Sequence, residues 1–171
     1  IELSSLEHVE GELKILPCFI RNSCPPIDGN IIEIPRLVSI GSLLQTRGVN
    51  LSLPMFKTVG DASISANSFS APELATSFGA FGFFGRELNV PKLSSARSIG
   101  IGGDLSNLDG LVNLTNVVDK LSIRGTTNLT NLDGLANLTS VGGILRIYNN
   151  VALTNLDGLA NLMSVGAMVL I

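Results

Sequence analysis

LTNLDGLANL stands at 129–138 and again, unchanged, at 153–162, and LSNLDGLVNL stands at 105–114, an offset of 24 residues each time. Each block is followed, three residues after its last Leu, by Val117, Val141 or Val165. An alternating pair then follows: Leu121 with Ile123, Leu145 with Ile147, Val169 with Ile171. Self-similarity at a fixed period is the mark of a repeat architecture, in which each unit buries its apolar face only by stacking on its neighbours.

The same skeleton continues upstream in degraded form. Leu6 leads to Val9, Leu13 and Ile15; Phe56 to Val59, Ala62 and Ile64; Leu93 to Ala96, Ile99 and Ile101. Leu37 with Ile40, and Leu74 with the run through Phe81 and Phe83, need one-residue slips. Between these lies a second unit, apolar–x–apolar–Pro, ending at Pro35, Pro54, Pro72 and Pro91. Its period of two predicts a short strand, and Pro, which has no backbone donor, ends that strand at a corner. In the last repeats this unit gives way to an apolar residue at every third position, as in Leu129, Leu132, Leu135, Leu138 and Val141. That spacing predicts a tight, turning chain closed by corners. The expectation is an all-β fold, a right-handed parallel β-helix (β-solenoid) of about eight coils with roughly 18–24 residues each, stacked about 4.8 Å apart. Residues 1–171 are expected to form a single domain, with 16–30 an irregular cysteine-containing loop insertion.

LTSVGGILRIYNNVALTNLDGL at 138–159 and LPMFKTVGDASISAN at 53–67 resemble the repeats of receptor L domains. Such leucine-rich domains occur in the extracellular halves of insulin-receptor and epidermal-growth-factor-receptor relatives and in fungal and protist surface proteins. The resemblance covers nearly the whole chain and implies an L-domain-like β-solenoid with an extracellular or cell-surface location. The near-identical coils are closer to surface proteins built of tandem copies than to the receptors.

Composition narrows the function. The chain has 171 residues, 45% hydrophobic, 5% aromatic and without Trp, so the interior must be layered from Leu, Ile and Val. A net charge of −3 with basic residues scattered singly argues against nucleic acid as a partner. Mean hydropathy is +0.43, yet no apolar run approaches the roughly 18 residues of a membrane-spanning helix. The opening IELSSLEHVEG lacks the pattern of a secretory signal, so the chain is read as a mature or excised fragment. Its last coil carries no polar cap, and either further chain or end-to-end stacking is expected to cover it.

Cys18 and Cys24 flank a turn-rich loop outside the repeat, and a disulfide is the preferred reading, with two separate thiols as the alternative. Zinc is disfavoured because these cysteines and a distant His8 do not supply four ligands, and no cofactor is expected. Asn50, Asn113, Asn128 and Asn137 head N-glycosylation sequons, Asn50 and Asn128 being the better candidates because Asn113 and Asn137 fall on adjacent coils. The repeat itself also generates such sequons. Asp109, Asp133 and Asp157 form a row that invites a metal or a carboxylate pair. Asp before Gly at a corner is instead expected to bond its own turn, with the Gly at positive φ. His8 is expected to be exposed, and the glycines of SIGIGGD at 98–104 to mark a tight coil.

No catalytic constellation emerges. The expected function is a non-enzymatic recognition or adhesion scaffold for a protein or glycan partner, met on an outward column where Lys14, Ser122, Arg146 and their neighbours Arg124 and Tyr148 project. The alternative is a structural subunit of a filament, sheath or appendage, self-associating through solenoid ends or flanks. A polysaccharide-acting β-helix enzyme comes third.

Overall fold

A computed structural model of the chain describes residues 3–16 and 31–171. Cys18, Cys24 and the 16–30 insertion, apart from Leu16, lie outside the described residues. Strands make up 50% of the described residues, and none of these is α-helical. In chain order the strands are β1 (His8–Val9), β2 (Leu13–Ile15), β3 (Ile31–Glu33), β4 (Ser39–Arg47), β5 (Asn50–Ser52), β6 (Thr58–Ser70) and β7 (Thr76–Asn89). They continue with β8 (Ser95–Gly103), β9 (Asn116–Thr126), β10 (Ser140–Val141), β11 (Ile144–Tyr148), β12 (Ser164–Val165) and β13 (Val169–Leu170). Together they form one 13-stranded sheet, ordered β1-β4-β6-β7-β8-β9-β10-β12 along its main path. Every paired ladder is parallel, and in the last repeats the partners stand 24 residues apart, as Leu121 with Leu145 and Leu145 with Val169. An all-β chain with a many-stranded parallel sheet is compatible with a β-solenoid.

In-register pairing turns the sequence repeat into columns. Ile15, Thr46, Ile64, Phe83, Ile101, Ile123 and Ile147 follow one another across the ladder. From Thr46 to Ile147 this column is buried. A polar column runs outside it: His8, Ser39, Thr58, Thr76, Ser95, Asn116, Ser140 and Ser164, each just before the residue that enters the core. One face inward and one face outward is the period-two pattern of strands, repeated at every layer.

The four prolines end strands as expected. After each comes a turn in which the residue three beyond the buried apolar one donates back to it: Leu37 to Ile34, Phe56 to Leu53, Leu74 to Ala71 and Leu93 to Val90. The two strands expected per coil are not always short and separate. β6 and β7 run unbroken for 13 and 14 residues and bend by register shifts instead. The one-residue slips expected near Leu37 and Leu74 are such shifts, lying between Ile40 and Leu43 in β4 and beyond Ser77 in β7.

The period-three segments contain 3₁₀ turns, at Asp109–Leu111, Asp133–Leu135 and Asp157–Leu159. A 3₁₀ turn has three residues per turn, so the spacing that fits neither strand nor α-helix is its own period. The bonds match: Leu111 donates to Leu108 and Leu114 to Leu111, at 2.8 and 2.9 Å. Leu108, Leu111 and Leu114 are thereby all drawn inward and buried. Val112, Ala136 and Ala160 occupy the place that proline holds upstream.

Two expectations about these corners need correction. Gly110, Gly134 and Gly158 do not adopt positive φ; among the described glycines only Gly48, Gly103 and Gly125 do. They are glycine because the turn lies directly on an earlier strand or turn: a Cβ on Gly134 would overlap the Leu108 carbonyl oxygen, and one on Gly158 that of Leu132. Nor does the aspartate side chain hold the turn. The Oδ1 atoms of Asn107, Asn131 and Asn155 accept from the backbone N–H of Asp109, Asp133 and Asp157, each at 3.1 Å, an arrangement that suits Asn two residues ahead of the turn.

A glycine groove on the outward face

Column order places the expected partner-facing residues on two neighbouring rows. Lys14, Gln45, Ser63, Gly82, Gly100, Ser122 and Arg146 form one row. Two residues further along the strands stand Ser65, Phe84 and Gly102, and then Arg124 paired with Tyr148. Lys14, at the far end of its row, is exposed beside Glu12. Ser122 is only 7% exposed, so it is covered where its row passes between Gly100 and Arg146 and does not project. Arg124 is exposed and donates from Nη1 to Tyr148 Oη at 3.3 Å.

The rows enclose a shallow groove of about 520 Å³. Its floor is bare. A Cβ on Gly100 would meet nothing within 4 Å, and one on Gly82 only the Ala62 carbonyl at 3.5 Å. Its wall is Phe84, 61% exposed, with its ring laid against Gly102 so closely that a Cβ there would stand 3.0 Å from Cδ2. Tyr148, Asn149 and Gly125 close one side, the last two both at positive φ. Phe84 and the floor glycines were missed in the sequence. The signal was present: Phe81 and Phe83 point inward, so alternation sends Gly82 and Phe84 out. The SIGIGGD glycines divide: Gly102 and Gly103 approach neighbouring backbone, whereas Gly100 stands open.

The other candidates have ties within the fold. Asn113 and Asn137 donate from Nδ2 to the carbonyls of Pro91 and Val112 at 2.7 and 2.8 Å, and Asn161 repeats this on Ala136. Thr115 and Thr139, the sequon hydroxyls, donate to the Ser94 and Thr115 carbonyls. N-L-T is therefore also a stitch between successive turns. Asn50 is half-buried and accepts from the Ser68 N–H at 3.0 Å, while Asn128 is exposed with a longer 3.4 Å contact to the Asp104 carbonyl. His8 is exposed on β1 and its Nδ1 lies 2.9 Å from Ser39 Oγ, a pair at the margin of the sheet. Asp109, Asp133 and Asp157 are exposed. Among the described residues no three His, Cys, Asp or Glu side chains gather as a metal site, and no helix is long and apolar enough to cross a membrane.

Comparisons of the chain with protein-family models, with curated proteins and with solved structures return no match.

Proposed function

We propose that the chain is a single right-handed β-solenoid domain of about eight coils, of the receptor L-domain kind, serving as a non-enzymatic recognition scaffold at the cell surface or outside the cell. The eight strands of the main ladder are taken as one per coil. The observation that carries the functional part is Phe84: a large apolar ring 61% exposed beside a floor stripped of side chains, on a face whose other outward positions are mostly polar. Exposed aromatics with Arg and Tyr beside them are the residue types that dominate binding surfaces. The lining supplies Ser, Gly, Ile, Phe, Arg, Tyr and Asn, suited to holding a partner rather than transforming one. A Cys18–Cys24 disulfide and passage through a secretory pathway belong to this proposal, and non-reducing peptide mapping of the native protein checks both.

The test is a variant that fills the groove without straining the fold. Gly82→Val with Gly100→Val adds side chains where there is room and where β-branched residues suit a strand. Arrays of purified glycans and surface proteins probed with both chains should show saturable binding by the native chain that the filled chain loses, with a melting temperature no lower than the native one. Equal binding by the two would remove the groove from the account. The alternative, a structural subunit, draws on the near-identity of the repeats at 105–114, 129–138 and 153–162. Sedimentation separates them: a monomer with a saturable ligand supports the scaffold, and a growing polymer the subunit.

A further inference from the structure

We infer that the groove takes a saccharide chain bearing carboxylates, a short run of uronic acid units; this rests on the recognition reading above and names its ligand. Size comes first. The groove's volume of about 520 Å³ lies within the range of small-ligand sites, and its 13 lining residues fall short of the roughly 20–30 per side that a stable protein interface uses.

Shape comes second. Ser63, Gly82 and Gly100 sit side by side on three adjacent strands, none with more than a hydroxymethyl group. At the spacing of a parallel sheet they make a flat trough about 10 Å long, running across the strands. A linear ligand with a flat C–H face fits such a floor. Phe84, fixed against Gly102, gives that face an apolar surface to pack on, and the flanking hydroxyls meet the sugar's own.

Charge decides the class. Arg124 is the one charged side chain of the lining, in a chain of net charge −3. Among the described residues the ion pairs engage Lys14, Arg36, Arg86 and Lys92, and neither Arg124 nor Arg146, the ladder neighbour of Ser122, has a carboxylate partner. The Tyr148 hydroxyl orients the Arg124 guanidinium. A planar guanidinium matches a carboxylate through two parallel hydrogen bonds.

Titration calorimetry of the whole chain with a short oligogalacturonate, a neutral cello-oligosaccharide of equal length and a sulfated oligosaccharide tests this. The oligogalacturonate should bind, more weakly as salt rises, and at least roughly tenfold more tightly than the neutral oligomer. Arg124→Gln and Phe84→Ala should each cost about tenfold, the scale of one charge-assisted or aromatic contact, and Gly82→Val with Gly100→Val should abolish binding. Circular dichroism melts confirm that each variant is folded. Binding of the neutral oligomer as tightly, binding of the sulfated one alone, or indifference to Arg124→Gln would overturn the inference. So would failure of every saccharide to bind. In that case, a filled chain that still loses a protein ligand on the array leaves the recognition reading standing, whereas a filled chain that matches the native one on every probe removes the groove from both.

Discussion

Glycine in this chain answers two opposite demands, and substitution should tell them apart. A Cβ on Gly134 would overlap the Leu108 carbonyl oxygen, a backbone atom that cannot swing away. Gly134→Ala should therefore destabilise the fold by about 2–3 kcal/mol, the usual cost of overpacking. Gly100→Ala meets nothing and removes backbone freedom from the unfolded chain, so it should stabilise by about 0.5 kcal/mol, with denaturant midpoints as the readout for both. The recurrence of Asp-Gly was plain in the sequence. Its cause was not, because the clash is with a carbonyl some two dozen residues earlier. Thr46 makes the reverse case: it fills an inward position between Ile15 and Ile64, 2% exposed, and its hydroxyl finds no partner among the described residues. Thr46→Val keeps the shape and removes that unsatisfied group, so urea unfolding should show a gain of about 1 kcal/mol.

The repeated 3₁₀ turns hold position through asparagine. Asn113, Asn137 and Asn161 bond carbonyls of the preceding corner, while Asn107, Asn131 and Asn155 bond the turn that follows them. Asn137→Ala should cost about 1 kcal/mol, the net worth of one such bond, and should speed amide exchange in the turn around Leu135 more than in β9. The inward leucines were legible because period three is visible to counting. The 3₁₀ turn was not assigned, since such turns are usually short and the segment was judged against strand and α-helix alone. The Val-Gly corners went unread as well. Gly142 and Gly166 each follow a buried or half-buried Val, and a Cβ on either would overlap a carbonyl of the preceding layer, Val118 or Gly142. The two-residue periodicity in Phe81–Phe84 points to the groove wall, since Phe81 and Phe83 are buried and Phe84 is exposed.

Across the molecule, parallel register converts a one-dimensional repeat into columns, and the columns place the groove. Three small outward residues become a trough only because their strands lie side by side; shifting one strand by a single residue would put Ile or Phe where glycine now stands. The core was legible in the sequence because burial imposes a pattern on every layer. The groove was less so, since an outward surface need repeat nothing. Stacking in register is thus the premise for both the interior and the site. It is tested most directly by amide–amide nuclear Overhauser contacts in perdeuterated, ¹⁵N-labelled protein. Cross-strand contacts should join Lys120–Arg124 to Ile144–Tyr148 at a constant offset of 24 residues, with the short-range pattern of 3₁₀ turns at residues around 109–111, 133–135 and 157–159. Continuous helical contacts through the LDGL segments, or antiparallel cross-strand contacts in place of that offset, would contradict the account.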